Sequence, residues 1–298
     1  MTLPRVVIGA QSSGSGKTTI TCGILQALVN RGMKVASFKC GPDYIDPMFH
    51  SNVIGTKSKN LDPFFVDDGT LAWLFERTAK ECEISIIEGV MGYYDGNAIG
   101  TTTSSTCDVS KKLSAPSILI VDAHGAATSA LATLKGFLEY TDNTIKGVIF
   151  NRMSEGVFRI VGPMAEEMGV KAVGYVPKLK DITLESRHLG LVMPSEIGGL
   201  RDMLMKLTDI LEESLDIDMI IDIAKGAGEL NSVEPEVDRT GEGLRIGLAK
   251  DETFCFTYED NIELLRRSGA EIVEFSPMHD SELPDVDAIV LSGGYPEL

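Results

Sequence analysis

The stretch VVIGAQSSGSGKTTI (Val6–Ile20) decides the fold of this chain. A short apolar run leads directly into a glycine- and serine-rich loop, and Thr18–Asn30 then has the apolar spacing of an amphipathic helix. A strand, a Gly-Lys-Thr loop and a helix in this order are typical of a phosphate-binding P-loop, in which backbone N–H groups face phosphate oxygens. We expect Lys17 to contact the β- and γ-phosphates of ATP and Thr18 to bind Mg²⁺.

The loop departs from the GxxxxGK[ST] pattern at one position, because Gln11 stands where the pattern has its first glycine. The plain alternative is a glycine- and serine-rich turn without a ligand, but a Gly-Lys-Thr triplet at a strand–helix junction favours nucleotide binding. Ser12 and Ser13 occupy the region where many cargo-partitioning or division-site P-loop ATPases have a second lysine, which argues against that class. The predicted nucleotide contacts in the loop are Gly14, Ser15, Gly16, Lys17, Thr18 and Thr19.

The rest of the chain alternates short β-branched runs with longer helical patterns, which is typical of a parallel sheet with helical crossovers. We predict an α/β fold with a P-loop NTPase-type parallel-sheet domain over residues 1–225. Residues 226–243 are rich in Gly, Glu and Pro and are predicted to be a linker. In residues 244–298 the alternation restarts, which indicates the start of a second α/β domain. The predicted strands of the first domain are Val6–Ile8, Val35–Phe38, Ile84–Glu88, Ser117–Val121, Gly147–Phe150 and Ala172–Tyr175, and Leu200–Glu213 is a predicted helix.

The composition restricts the classes of partner. With 27 Lys plus Arg and 44 Asp plus Glu the formal net charge is −17, which opposes non-specific attraction to nucleic acid or to an anionic membrane. The five cysteines are scattered and form no CxxC pair, so neither a disulfide framework nor a zinc site is indicated. The N-terminus lacks the pattern of a signal peptide, and no apolar run approaches the roughly 20 residues that span a bilayer. We therefore expect a cytoplasmic protein.

Acidic side chains at the ends of two predicted strands supply a candidate metal site. Glu88 ends the apolar run Ile84–Glu88, and a buried carboxylate there needs a partner, for which Mg²⁺ or its water shell is suited. Asp43 and Asp46 lie in a proline-flanked turn after the second strand, where Asp43 either binds the metal or phosphate or caps the turn. Lys39 either neutralises charge on a transferring phosphoryl group or pairs with Asp46. In a parallel sheet these strand ends share the edge at which ligands bind.

Five segments carry a family resemblance: FKCGPDYIDPMFH (Phe38–His50), EGVMGYYDG (Glu88–Gly96), RHLGLV (Arg187–Val192), DNIELLRRSGAEIVEFSP (Asp260–Pro277) and SGGYPEL (Ser292–Leu298). They are similar to segments of the cobyrinic acid a,c-diamide synthases, which are glutamine-dependent amidases of tetrapyrrole biosynthesis, and they follow the same order. The P-loop domain also resembles dethiobiotin synthetase. The resemblance implies that ATP phosphorylates a peripheral carboxylate of the macrocycle and that ammonia displaces phosphate to leave a carboxamide.

The resemblance also implies roles for individual residues. Asp43 and Glu88 would complete the Mg²⁺ site with Thr18. Asn151 would recognise adenine, although a turn asparagine after a strand is the alternative. Asp95 and Tyr44 fall where the family places groups near the reacting carboxylate, and Arg187 and His188 would face the polycarboxylate substrate. Together with the residue-based arguments above, this gives Lys17, Lys39 and Asp95 as the predicted catalytic residues. The predicted substrate contacts are Tyr44, Asp46, Arg187 and His188. His188 has a structural hydrogen-bonding role as its alternative.

In the family the second domain is a class I glutamine amidotransferase-like glutaminase. Its nucleophilic cysteine lies in a Gly-x-Cys-x-Gly turn beyond the segment that matches Ser292–Leu298. The resemblance gives Gly293 and Gly294 a place in an oxyanion-type loop, and Cys255 lacks the context of the nucleophile. We therefore expect a synthetase domain with only the start of a glutaminase domain, and no glutaminase activity from this chain alone. A fragment, an interrupted gene, a homodimer and a partner chain that supplies the missing part all remain open.

Four functions compete. The first is the amidating synthetase with glutamine or ammonia as donor, acting on cobyrinic acid or on the nickel-sirohydrochlorin of coenzyme F430 biosynthesis. The second is a stand-alone carboxylate-activating enzyme of the dethiobiotin type, which Arg187–Val192 and Ser292–Leu298 argue against. The third is a non-enzymatic P-loop ATPase switch, which Ser12 and the two acidic segments argue against. The fourth is an inactive remnant, against which the intact Gly-Lys-Thr, Asp43 and Glu88 argue.

Overall fold

The computed structural model describes residues 3–179 and 197–295, which divide into two compact units between Val233 and Glu234. This division lies inside the predicted linker 226–243. Residues before it still belong to the first unit, since the Gly228 N–H donates to the Ser114 carbonyl at 2.9 Å and the Val233 N–H to the Gly69 carbonyl at 3.0 Å. Arg187 and His188 lie outside the described residues.

The first unit is built on a seven-stranded sheet in which every neighbouring pair is parallel, as predicted. The order β3-β2-β4-β1-β5-β6-β7 places β1 between β4 and β5. The loop that follows β1 is therefore flanked by the carboxyl ends of these two strands. The strands are β1 (Arg5–Ala10), β2 (Val35–Cys40), β3 (Lys57–Leu61), β4 (Ile84–Glu88), β5 (Ser117–Asp122), β6 (Ile145–Asn151) and β7 (Lys171–Val176).

Helices cover both faces of this sheet. Alternate residues of β1 face opposite sides, so that Ile8 belongs to one apolar cluster and Val7 to another. The described helices of the first unit are α1 (Lys17–Asn30), α2 (Ile45–Phe49), α3 (Asp68–Ala79), α4 (Thr106–Lys112), α5 (Thr128–Glu139), α6 (Glu155–Glu166), α7 (Ile197–Ser214) and α8 (Ile217–Lys225), with a π-helical turn at His50–Ile54.

Helices α1 and α7 pack closely at a glycine. A Cβ atom on Gly23 of α1 would lie 2.3 Å from Cδ1 of Leu211 on α7. The observed α7 extends the predicted helix Leu200–Glu213 by a few residues at its N-terminal end. Strand β3 was not predicted, because its sequence KSKNL carries only one apolar residue, and it lies at the edge of the sheet where polar side chains are tolerated.

The second unit contains a parallel three-stranded sheet of order β10-β8-β9, formed by β8 (Arg245–Ala249), β9 (Glu271–Phe275) and β10 (Ala288–Val290), with helix α9 (Glu259–Arg267). The Asp251 carboxylate organises the loop after β8. Its Oδ1 accepts from the N–H groups of Thr253 and Phe254, both at 2.9 Å, and its Oδ2 accepts from the Ser276 hydroxyl at 2.9 Å. Among the residues described, no helix combines the length and the apolar character that crossing a bilayer requires.

Candidate active site

The loop between β1 and α1 has the backbone that its glycines predict. Gly14 and Gly16 have φ angles of 77° and 87°, in the left-handed region that favours glycine, and Gly16 is the N-cap of helix α1. A Cβ atom on Gly16 would also lie 2.4 Å from Nδ2 of Asn151. Any larger residue at this position would therefore both strain the backbone and displace the end of β6.

Two consecutive residues at the end of β6 hold the carbonyl groups of this loop. Asn151 Nδ2 donates to the Ser15 carbonyl at 2.8 Å, and an Arg152 guanidinium nitrogen donates to the Gly14 carbonyl at 2.9 Å. The guanidinium also pairs with Asp122 at the end of β5, at 2.9 Å. Since N–H and C=O point in opposite directions across a trans peptide, the N–H groups that follow these carbonyls face away from β6, toward the space where a phosphate would lie.

Arg152 adopts a left-handed backbone conformation with φ of 59°, which is costly for a residue with a Cβ atom. In this conformation the side chains of Asn151 and Arg152 both contact the P-loop. The Asn151 side chain is nearly buried, and its Oδ1 accepts from the Arg152 N–H at 2.8 Å. No role was predicted for Arg152 from the sequence, in which its position directly after Asn151 was the only signal. Adenine recognition by Asn151 stays a prediction.

Lys17 contacts the loop that follows β4. Its Nζ lies 3.4 Å from the carbonyl oxygen of Met91, a residue whose φ is 47°. The same loop is held by Asp95, whose Oδ2 accepts from the Gly92 N–H at 2.9 Å. Burial lowers the pKa of Lys17, and the nearby Glu88 partly opposes this. The structure thus brings Lys17 and the segment containing Asp95 to one edge of the sheet, as the sequence predicted.

Glu88 is the centre of a buried polar cluster. Its Oε1 accepts from the Thr18 hydroxyl at 2.6 Å and from Lys39 Nζ at 2.7 Å. Lys39 Nζ also donates to Asp46 Oδ2 at 2.5 Å. Glu88 is fully buried, Asp46 is 2% exposed and Lys39 is 6% exposed. Of the two roles that the sequence left open for Lys39, the structure shows the pairing with Asp46, and it adds Glu88 as a second partner.

Burial and mutual charge shift the pKa values of this cluster. Burial raises the pKa of Asp46 to about 7, and the neighbouring Glu88 adds to the effect while Lys39 opposes it. Burial would also raise the pKa of Glu88, but the positive charges of Lys39 and Lys17 act against it and the net shift is downward. The pKa of Lys39 is raised, because attraction to the two carboxylates exceeds the effect of burial. Glu88 is therefore the carboxylate that stays ionised.

The donor atoms of this cluster fit Mg²⁺ bound together with a triphosphate. Among the described residues, the buried atoms Glu88 Oε2 and Asp46 Oδ1 have no hydrogen-bond partner. Mg²⁺ usually takes one or two protein oxygens and fills its other positions with water and phosphate, which the Thr18 hydroxyl and the Glu88 carboxylate satisfy. Within residues 3–179 and 197–295, no three His, Cys, Asp or Glu side chains are grouped closely enough to hold a metal ion by themselves.

Asp43 has the geometry of a turn-capping residue. Its Oδ1 accepts from the N–H groups of Ile45 and Asp46 at 2.8 and 3.2 Å, and its Oδ2 lies 3.9 Å from Lys39 Nζ. A metal role for Asp43 stays a prediction, as do the substrate contacts assigned to Tyr44 and Asp46. The Asp46 side chain points into the buried cluster just described.

Two further residues near Glu88 were missed by the sequence analysis. His50 Nε2 lies 3.9 Å from Glu88 Oε2 and 3.6 Å from the Cys22 sulfur. Burial lowers the pKa of His50 to about 4, so its imidazole is neutral, and burial raises the pKa of the Cys22 thiol, so it stays protonated. His50 ends the motif Phe38–His50, which was the only signal for it.

In the second unit, Gly293 and Gly294 lie against the loop after β8. The Phe256 N–H donates to the Gly293 carbonyl at 2.9 Å, and a Cβ atom on Gly294 would lie 1.9 Å from the Thr253 carbonyl oxygen. Gly294 has a φ of 155°, so both conformation and space require glycine there. The oxyanion-type role of these two glycines stays a prediction.

Comparison with known proteins identifies the family. Residues 6–192 match the model of the CobQ/CobB/MinD/ParA nucleotide binding domain, and residues 245–298 match that of the CobB/CobQ-like glutamine amidotransferase domain. Curated relatives named cobyrinate a,c-diamide synthase include those of Listeria monocytogenes, 42% identical over 99% of this chain and 66% of the relative, and of Thermoplasma acidophilum, 41% identical over 100% of this chain and 67% of the relative. The chain thus spans about 66% of the length of the first of these relatives.

Solved structures with similar backbones are more distant in sequence. The MinD cell division protein of Aquifex aeolicus is 16% identical, with a TM-score of 0.40 over 76% of this chain and 98% of that chain. The chloroplast FtsY of Physcomitrella patens is 13% identical, with a TM-score of 0.47 over 75% of this chain and 66% of that chain.

Proposed function

This chain belongs to the cobyrinate a,c-diamide synthase family, and from that premise we propose that it uses ATP and Mg²⁺ to amidate the a and c side-chain carboxylates of cobyrinic acid. The observation that carries the proposal is the buried Glu88, which accepts from Thr18 and Lys39 beside the P-loop. It joins a nucleotide-binding loop to a strand end in a family whose curated relatives are named for this amidation.

The first step is phosphoryl transfer to the substrate. A carboxylate oxygen of the macrocycle attacks the γ-phosphorus of ATP, the bond between that phosphorus and the β–γ bridging oxygen breaks, and ADP leaves. Lys17, the lysine of the P-loop, neutralises charge on the transferring group; its Nζ lies 3.4 Å from the Met91 carbonyl oxygen. The N–H groups that Asn151 and Arg152 orient toward the nucleotide hold the remaining phosphate oxygens.

Thr18 and Glu88 are the residues that would hold Mg²⁺, which when bound neutralises phosphate charge and aligns the triphosphate. Lys39 holds Glu88 in place and keeps it ionised. Because Lys39 already has two carboxylate partners, its main role in this proposal is to position Glu88, with contact to the transferring phosphoryl group as a second role.

The second step is amide formation. The nitrogen lone pair of ammonia attacks the acyl carbon of the acyl phosphate, the C–O bond to phosphate breaks, and inorganic phosphate leaves with the electron pair. The nitrogen then loses its extra proton and the carboxamide remains. Glutamine as the source of this ammonia agrees with the family of residues 245–298, and free ammonia is the simpler donor.

The test is a measurement of phosphate release and product mass with ATP, Mg²⁺ and cobyrinate, supplied in parallel with ammonia and with glutamine. We expect one phosphate for each carboxamide formed and a mass decrease of about 1 Da per amidation. ATP hydrolysis without any change in the mass of cobyrinate would contradict the proposal. The same assay with nickel-sirohydrochlorin distinguishes the two macrocycles.

A further inference from the structure

A cavity of about 740 Å³ lies beside the P-loop in the first unit. One wall is the loop of residues 91–102 that follows β4, and the other is helix α5, Thr128–Glu139, with Tyr140 at its end. Nothing in the reaction proposed above uses this cavity.

Aromatic rings from both walls meet in this cavity. The rings of Tyr94 and Phe137 are stacked, with their centroids 5.5 Å apart and an angle of 16° between their planes, and the Tyr140 ring lies 5.1 Å from that of Tyr94. The Tyr94 hydroxyl donates to the Phe137 carbonyl at 2.5 Å. This bond ties the loop to the helix and fixes the orientation of the Tyr94 ring.

Large apolar side chains of this cavity are exposed. Ile99 is fully exposed and Tyr140 is 70% exposed, and Met91 adds a third exposed apolar side chain. A cluster of this kind costs solvation free energy unless a ligand or a partner covers it, and such clusters commonly mark binding sites.

The cavity borders the reaction site at the loop that follows β4. Met91 lines the cavity, while its carbonyl oxygen accepts from Lys17 Nζ at 3.4 Å. Asp95 also lines it and holds the backbone of Gly92. A ligand seated between the loop and α5 would therefore lie close to Lys17.

We propose that this cavity holds the flat apolar face of the tetrapyrrole ring and thereby brings a peripheral carboxylate to Lys17; the proposal rests on the proposed function. Stacked aromatic rings suit a conjugated macrocycle. A volume of about 740 Å³ is in the range of about 300–1,000 Å³ for ligand sites, and a small carboxylic acid would leave most of it empty.

The charged residues of the cavity wall indicate which part of the macrocycle it binds. Among the described residues that line the cavity, Asp95 carries the one carboxylate and there is no lysine or arginine. The cavity therefore selects the ring by its apolar face, and not by attraction to its carboxylates. Thr101, Thr102 and Thr133 also line the cavity, and the hydroxyls of Thr101 and Thr133 donate to the Ala98 and Ser129 carbonyls.

The test is the affinity of the full chain for cobyrinate, measured by calorimetry with a non-hydrolysable ATP analogue and Mg²⁺ present. Ile99→Ser and Tyr140→Ser remove exposed apolar surface from the cavity without touching the core. Burial of one such side chain is worth roughly 1.5 kcal/mol or more, so each variant should weaken the Kd for cobyrinate about tenfold. The matched control is Ile160→Ser on α6, which is also largely exposed but does not line the cavity, and it should stay within twofold of the wild type.

The outcomes separate this proposal from the proposed function. If the wild type binds cobyrinate and the two cavity variants bind it equally well, the cavity is not the ring site, while the amidation proposal stands. If the wild type binds the ATP analogue but no cobyrinate, the proposed function fails, and this inference fails with it. If either variant changes the sedimentation coefficient but not the Kd, a second copy of the chain covers this surface, and the proposal is overturned.

Discussion

Replacement of Lys39 by methionine tests the buried cluster most directly. Lys39 Nζ bonds Asp46 at 2.5 Å and Glu88 at 2.7 Å, and neither carboxylate has another lysine or arginine bonded to it among the contacts described. Methionine keeps most of the length and apolar surface of the side chain. The change therefore removes the ammonium group and leaves two carboxylates close together in the interior.

The expected cost follows from what remains behind. Removing one partner of a buried ion pair costs about 3–5 kcal/mol, because the other charge stays buried and unpaired. Proton uptake by Asp46, whose pKa burial already raises to about 7, relieves part of this cost, so we expect a loss of about 3 kcal/mol. The matched control is Lys57→Met on β3, whose ion pair with Glu81 is on the surface and screened by solvent, so the loss of stability should be much smaller there.

Urea denaturation provides the measurement, at pH 8 with EDTA and without nucleotide. The single tryptophan, Trp73, lies on α3, so its fluorescence reports the first unit. The decisive comparison is Asp46→Asn made in the wild type and in Lys39→Met. It should destabilise the wild type by about 1–3 kcal/mol, since it removes a partner of Lys39, but be neutral or stabilising without Lys39. Equal costs in the two backgrounds would refute the reasoning, as would a loss below about 1 kcal/mol for Lys39→Met.

Three further predictions follow from separate parts of the structure. Thr18→Val removes the hydroxyl bonded to Glu88 and should lower macrocycle-dependent phosphate release about 10–100-fold. Thr18→Ser keeps a hydroxyl and should stay close to the wild type. Similar activities for the two variants would show that the hydroxyl has no metal role. Gly23→Ala places a methyl group in the contact between α1 and α7 and should lower the free energy of unfolding by about 1–3 kcal/mol. The control Gly156→Ala has open space at its Cβ and should change the free energy of unfolding by less than about 1 kcal/mol in either direction. Equal urea midpoints for the two variants would contradict the close approach of α1 and α7 at Gly23. In the second unit, burial acts to raise the pKa of Asp251, but the hydrogen bonds that the carboxylate accepts lower this pKa well below its usual value. The carboxylate therefore contributes to stability above the unfolded pKa near 4, and this contribution is lost as the pH falls below that value. Asp251→Ala should therefore reduce the hydrogen-exchange protection of the second unit's strands at pH 7, with a difference from the wild type that shrinks as the pH is lowered from about 5 to 2; a difference that does not vary with pH would argue against an ionised carboxylate as the cause.

Much of the candidate site was predictable because its residues lie in motifs at strand ends. Lys17, Thr18 and Glu88 follow from the Gly-Lys-Thr loop and from one carboxylate at the end of an apolar strand. Glu88, the second partner of Lys39, was not predictable. The acidic turn was consistent both with contact of Lys39 to a phosphoryl group and with pairing to Asp46. The bond between Lys39 and Glu88 depends on the adjacency of β2 and β4, which are separated along the chain by β3 and α3.

The contacts around the P-loop were also not predictable from the sequence. Arg152 and Met91 contribute through backbone conformations with positive φ, and no property of these two residue types predicts such conformations. The edge strand β3 was missed for a related reason, since its polar sequence lacks the alternation that identifies a half-buried strand. The cavity beside Tyr94 combines residues of two segments that are about 30 positions apart.

The sequence by itself determined the fold class, the phosphate-binding loop and the identity of the ionisable residues at the sheet edge. These features depend on local periodicity and on short motifs, which are properties of neighbouring residues in the chain. Only the tertiary structure decided which carboxylate accepts from the Thr18 hydroxyl, which side chains hold the P-loop carbonyls, and where an apolar cavity opens near Lys17. The physical reason is that burial, pKa and cavity shape depend on which strands are neighbours in the sheet, and strand order is a property of the folded chain.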